Sequence, residues 1–174
     1  MLITLNKKTH GEAFTLAAWV AAAISKDPTK EYLQHVKYTG SELVATDGHR
    51  LHKAEIDLQA PAGLYQVLKS TRTDLILALN ENAPDYPDYT RVMPKNPAER
   101  TLDCSELECK GAYIGITRAM SEGYGLARDL FDTAFAQATA VEIRDGRSPV
   151  VLTGPGTYAL VMPLKVKAPK ECRP

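Results

Sequence analysis

Residues 80–100 carry Pro84, Pro87, Pro94 and Pro97 among Asn, Asp and Glu residues. Proline gives no N–H and holds φ near about −65°, so this stretch is an extended connection, neither a central strand nor a helix. It divides the chain into a first half, 1–79, and a second half, 101–166, with 167–174 left as a tail.

Each half shows the same order of patterns. Leu2 to Asn6 alternates as a short strand. From Glu12 to Ser25, Phe14, Ala17, Ala21 and Ile24 recur every three or four residues, one face of a helix that stops at Asp27-Pro28. Tyr32, Gln34, Val36 and Tyr38 share one face of the next strand, and Thr39-Gly40-Ser41 turns it into a strand with Leu43 and Ala45. Asp47-Gly48 predicts a type I′ hairpin with positive φ at both residues, leading to a strand through Leu51, Ala54 and Ile56. Gly63 to Lys69 and Thr73 to Leu79 read as two further strands. Beyond the connection, Leu102 to Cys109 and Tyr113 to Arg118 read as strands, and Gly123 to Gln137 as a helix with Leu126, Leu130, Phe131 and Ala134 inward. Val141 to Arg144, Val150 to Thr153 and Tyr158 to Val166 complete the set. The repeated order predicts an α+β fold: two pseudo-repeated strand–helix–strands units sharing an antiparallel sheet, with two helices on one face, in a single domain over 1–174.

Composition limits what such a domain can do. The chain has 174 residues, with 21 Lys plus Arg against 21 Asp plus Glu, so it is not a protein wrapped in nucleic acid by bulk charge. Cys104, Cys109 and Cys172 contain no two-residue spacing of a zinc or redox motif, and read as reduced thiols of a cytoplasmic protein. Lys7 and Lys8 before the apolar run Ala13 to Ile24 resemble a secretion signal, yet that run is shorter than the roughly 20 residues of a membrane span, so no membrane is expected. His49 and His52 near Asp47 suggest a metal site, but residues three apart on a strand point to opposite faces. Neither a metal nor another cofactor is expected. No nucleophile elbow, phosphate loop or metalloprotease helix occurs, so the chain is read as no enzyme.

Three segments carry a resemblance. Val44-Ala45-Thr46-Asp47-Gly48-His49-Arg50-Leu51, Tyr86-Pro87-Asp88-Tyr89-Thr90-Arg91-Val92-Met93-Pro94-Lys95-Asn96-Pro97 and Tyr158-Ala159-Leu160-Val161-Met162-Pro163-Leu164 occur in this order. They resemble, in turn, a hairpin, an interdomain connection and the final strand of the bacterial β sliding clamps, the processivity factors of replicative DNA polymerase. The family's subunits have three related domains and close in pairs around DNA. This chain reads as a short, single-domain version, of the kind a phage or mobile element would encode. Thr90 stands where the family has a basic residue, and Lys165 to Pro174 runs past the family's usual end.

The resemblance implies binding rather than catalysis, in a groove for short hydrophobic peptides of polymerase or clamp-loader proteins. Leu51, Pro87, Val92, Leu160, Met162, Pro163 and Leu164 would form its apolar walls, and Thr46, Gly48, His49, Arg50 and Arg91 its polar rim. Tyr89 and Val161, within the matched segments, complete the set. Two buried anchors would supply roughly 3–6 kcal/mol before ordering costs, which leads to micromolar affinity. A homo-oligomer would hold double-stranded DNA without reading sequence, touching phosphate through Lys7, Lys8, Lys26, Lys30 and Arg128, although the helices are poor in cations and Arg128 has Asp129 and Asp132 beside it. The alternative is an adaptor or competitor that keeps the groove and never encircles DNA. A third reading fills the groove with the chain's own tail.

Overall fold

The computed structural model describes residues 1–104, 108–120 and 123–165. β1 (Leu2–Asn6) turns Ile3 and Leu5 inward and runs straight into α1 (Lys7–Ala21), because the Asn6 side chain accepts the Lys8 N–H and caps the helix. The helix therefore begins before Glu12, with a break at Gly11, whose φ of 45° and ψ of −109° lie outside the helical region. It also ends at Ala21 rather than Ser25. Tyr32 leaves the expected strand face: Glu31–Leu33 winds into a 3-10 turn, closed by the Leu33 N–H on the Lys30 carbonyl, and Tyr32 stays exposed.

β2 (His35–Tyr38), β3 (Glu42–Thr46) and β4 (Arg50–Glu55) form a meander, followed by the hairpin of β5 (Gly63–Ser70) and β6 (Asp74–Leu79). The turn between β3 and β4 is not of type I′. Gly48 alone takes positive φ there, at 91°, while the Asp47 carboxylate accepts the His49 and Arg50 N–H groups at 2.8 and 3.0 Å. A side chain does the turning that a second left-handed residue would have done.

In the second half, β7 (Arg100–Asp103) is shorter than expected, and 105–107 of that expected strand lie outside the described residues. Tyr113 to Arg118 is not a strand. It belongs to α2 (Cys109–Ala119), which buries Ala112 and Ile116 four residues apart, the spacing of a helix face. The expected helix over 123–137 gives way at its start to β8 (Tyr124–Gly125) and contracts to α3 (Arg128–Phe135). β9 (Ala140–Ile143), β10 (Val150–Gly154) and β11 (Thr157–Val161) follow. The last expected strand breaks at Met162 and Pro163 before β12 (Leu164–Lys165), which pairs with β8; Val166 and the tail lie outside the described residues. The described residues hold three α-helices where two were expected.

Ten strands form one antiparallel sheet in the order β1-β6-β5-β2-β3-β4-β11-β10-β9-β7. The halves meet where β4 pairs with β11, with Leu51 opposite Leu160. They are not equal copies. The β5–β6 hairpin stands between β1 and β2, whereas β7 pairs directly with β9. Alternate strand residues, including Leu43, Ala45, Leu75, Leu77, Val141 and Leu152, pack with Phe14, Val20, Ile116 and Phe131 of the helices into the main core. The other face carries a small separate cluster of Val44, Leu51, Val151 and Leu160.

One aromatic knot joins the layers. His52 of β4 stacks on Trp19 of α1 with ring centroids 4.3 Å apart, and Trp19 Nε1 donates to the Thr133 carbonyl of α3 at 2.8 Å. The last four carbonyls of a helix lack internal partners, so Trp19 satisfies one of those on α3. The same logic operates on α1: His52 Nδ1 donates to the Trp19 carbonyl at 2.9 Å, and the Arg50 guanidinium donates to the Ala22 carbonyl.

Candidate functional site

The connection has to carry the chain from β6 to β7, eight strand spacings apart in the sheet, about 38 Å at the usual spacing. It crosses the face opposite the helices. Asn80 meets His35 of β2 at 3.0 Å, and the Lys37 ammonium lies 5.8 and 5.6 Å from the Tyr86 and Tyr89 rings. Tyr89 packs on the outer cluster, and Arg144 Nε holds the Asn96 carbonyl at 2.8 Å. Burial pushes the Tyr86 and Tyr89 phenols above their ordinary range. These fastenings make the connection a wall rather than a loose loop.

Between that wall, the β3–β4 turn and the chain after β11 lies a cleft of about 280 Å³. Leu51 and Leu160, paired across the junction of the halves and only 2% and 1% exposed, form its floor. Met162 is fixed at its side by its own N–H, which donates to the His49 carbonyl at 2.8 Å. Pro87, Tyr89 and half-exposed Val92 of the connection face them. Thr46, Gly48 and Arg50 complete the lining expected from sequence. Thr46 is locked, its hydroxyl donating to the Arg50 carbonyl at 2.6 Å, and Arg50 is spent on Asp47, 3.0 Å away, and on the end of α1. The cleft thus offers apolar surface bordered by polar groups that already have partners.

Other expected groove residues lie elsewhere. Val161 faces the main core and is fully buried, because it alternates with Leu160 along β11. Arg91 projects into solvent beside Asp88 at 3.3 Å, His49 is exposed at the turn, and Leu164 belongs to the β12–β8 ribbon. Pro163 is half-buried outside the lining. The lining also includes Tyr32, Leu33 and Asp88, which the sequence reading missed. Tyr32 and Leu33 were hidden by the strand pattern assigned to them. The Asp88 carboxyl is held below its usual range by the Thr90 hydroxyl and N–H.

The expected DNA-facing residues also scatter. Lys7, Lys8 and Lys26 are exposed near the two ends of α1. Arg128 is tied to Asp132 at 2.6 Å and lies 4.7 Å from the Tyr113 ring. Lys30 lies beside Gly48: a Cβ added there would be 4.0 Å from its Nζ. The helical α2, missed in sequence, exposes Lys110, Ile114 and Arg118 at four-residue steps. Among the described residues no group of three or more His, Cys, Asp or Glu could hold a metal ion. The Cys109 thiol donates to Asp132 at 3.0 Å, and burial together with that carboxylate pushes it up to about 11, which favours the protonated thiol. No described helix is long and apolar enough to cross a membrane.

No protein-family model matches the sequence, and no curated protein matches it. A sheet of this order with its helices on one face is nonetheless a clamp architecture, and the solved structures it matches include bacterial sliding clamps. The Caulobacter crescentus β sliding clamp, solved with polyethylene glycol bound, matches 95% of this chain with a TM-score of 0.62 and 18% identity. The DNA polymerase sliding clamp of Bacillus subtilis matches 96% with a TM-score of 0.58 and 14% identity. The Bartonella birtlesii sliding clamp, DNA polymerase III subunit beta, solved bound to griselimycin, matches 95% with a TM-score of 0.60 and 16% identity. The matches span 65%, 65% and 66% of those clamps, so this chain covers about two thirds of their length. The chain has the fold of the bacterial β sliding clamps.

Proposed function

We propose that this chain is a clamp-like replication accessory protein whose cleft captures a short hydrophobic peptide from a polymerase or clamp-loader protein, acting by binding and not by catalysis. The observation that carries the reading is the cleft itself: in a clamp fold, Leu33 of the 3-10 turn, Pro87, Tyr89 and Val92 of the connection and Met162 after β11 converge over the Leu51–Leu160 floor, with the β3–β4 turn at the edge. A volume of about 280 Å³ lies just below the roughly 300–1,000 Å³ of typical ligand pockets, which suits one or two apolar side chains better than a cofactor. Half-buried Met162 adapts to varied anchors. The tail fits poorly as an occupant, since 166–174 offers Val166 and Ala168 against Lys167, Lys170 and Arg173.

Titration of fluorescent peptides bearing two leucines tests the reading. The wild type binds with micromolar affinity, and Met162→Asp, which places a charge against the floor, loses roughly tenfold or more. A wild type that ignores all such peptides overturns it.

Association with double-stranded DNA is the second part of the proposal, and it rests on a homo-oligomer in which the α2 face supplies cations. Lys110 and Arg118 replace Arg128, whose charge Asp132 already answers. The competing reading, an adaptor that never encircles DNA, draws on the paucity of cations along α1, where Lys7 and Lys8 occupy only the first turn. Light scattering decides between them: a mass of several chains supports the oligomer, and a single chain at high concentration supports the adaptor.

A further inference from the structure

We propose that Lys37 is a positioning residue for the cleft: its ammonium clasps Tyr86 and Tyr89 of the connection against the sheet, and so sets where the wall stands over the Leu51–Leu160 floor. This rests on the peptide-binding reading above and adds to it the group that keeps the site in its binding shape. Alternation along β2 sends Val36 and Tyr38 into the main core and leaves half-buried Lys37 on the face that the connection crosses.

Among the described residues, the backbone of the connection bonds to the sheet only at its two ends. There the Asn80 N–H donates to the Leu64 carbonyl at 2.8 Å, and the Glu99 N–H to the Ile143 carbonyl at 2.9 Å. Between them its backbone bonds are local, from Ala83 to Asn80, Arg91 to Asp88 and Met93 to Thr90. Side chains therefore hold the middle down, and Lys37 holds two at once. Its ammonium lies 5.8 Å from the centre of the Tyr86 ring and 5.6 Å from that of Tyr89, within the roughly 6 Å over which a cation is drawn to an aromatic face. No carboxylate claims that charge: Lys37 has no ion pair among the described residues, and Glu42 on the neighbouring strand is held by Lys53 at 2.6 Å. The two rings face different spaces. Tyr89 lines the cleft, whereas Tyr86 borders a separate hollow of about 640 Å³ with Leu64, Pro84 and Lys37 itself. The connection thus has room to move on the side away from the cleft, and only the clasp opposes that movement at Tyr86. A wall that stands in place for part of the time weakens binding by that fraction.

Trypsin tests the clasp without any peptide, because Arg91 and Lys95 are exposed on the connection and cleavage after them requires that segment to leave the sheet. Cleavage at those two bonds, followed by mass spectrometry, is about fivefold faster in Lys37→Met than in the wild type, the size of one cation–π contact at a partly exposed site. Lys37→Arg, which keeps a cation over the rings, stays within about twofold of the wild type. Tyr86→Leu, a change outside the cleft lining, also speeds cleavage. The urea midpoint is the same in all of these variants, since only the connection opens. The fluorescent two-leucine peptide then binds Lys37→Met about fivefold more weakly than the wild type, and Lys37→Arg restores its affinity. Cleavage of Lys37→Met at the wild-type rate, or a drop in urea midpoint that accounts for its faster cleavage, overturns the clasp. Faster cleavage with unchanged peptide affinity overturns the positioning role while leaving the cleft reading intact. If no peptide binds the wild type, the positioning role falls together with the cleft reading, and the cleavage rates still decide the clasp.

Discussion

Arg50 and His52 show why the β3–β4 turn is chemically quieter than its sequence suggests. Both side chains close carbonyls at the end of α1, so the charge of one and the ring of the other serve the fold. Because the Trp19 carbonyl can only accept, His52 carries its proton on Nδ1, and its buried Nε2 has no partner. Burial then lowers the His52 pKa from 6.5 to about 4. The folded state binds fewer protons than the unfolded one between these values, so the contribution is intact above about pH 6.5 and disappears as pH falls through about 4. It amounts to about 3 kcal/mol. Urea unfolding of wild type and His52→Phe at pH 7 and pH 4 checks this: the wild type loses about 3 kcal/mol more than the variant, and equal losses contradict it. At Gly48, a φ of 91° predicts that Gly48→Ala costs about 1 kcal/mol in the same assay, the strain of a left-handed Cβ.

Elements were legible where apolar spacing had one interpretation. Ile3 and Leu5, Leu75 and Leu77, and Leu43 and Ala45 alternate on the sheet as on the page, and the proline-rich connection holds no strand before β7 begins at Arg100, although Tyr89–Val92, expected to be extended, winds into a 3-10 turn capped by the Asp88 side chain. The failures share a cause. Tyr113-Ile114-Gly115-Ile116-Thr117 is rich in β-branched residues, yet Ala112 and Ile116 lie one above the other once the segment winds against α3, and packing overrides propensity. Removing that anchor with Ile116→Ala costs about 2–5 kcal/mol in thermal or urea unfolding; a loss within 0.5 kcal/mol, the usual scatter of surface changes, contradicts the helical packing. Part of the cleft lining was legible: Leu51, Leu160 and Met162, expected together from the resemblance, all line it. Tyr32 and Leu33 were not, because nothing in their own spacing brings the 3-10 turn beside Gly48. Only the path of the chain after α1 does so.

At the scale of the molecule, one sheet runs unbroken through the β4–β11 pair, and Trp19 ties helices of the two halves together. The halves therefore unfold together. A single transition, with coincident near- and far-ultraviolet dichroism, is the expected result, and two resolved transitions contradict it. If the chain assembles around DNA through the α2 face, Lys110→Ala with Arg118→Ala lowers the slope of log affinity against log salt by about two per chain. An unchanged slope places the contact elsewhere.

The central claim is that the turn, the connection and the end of β11 form one slot for an apolar peptide. Photo-cross-linking with a two-leucine peptide carrying a diazirine leucine, followed by mapping of the adducts, tests it directly. Adducts on Tyr32, Val92 or Met162, competed by unlabelled peptide, are the predicted result. Competable adducts confined to the helical face, or labelling no greater than that of a scrambled serine-rich peptide, contradict it.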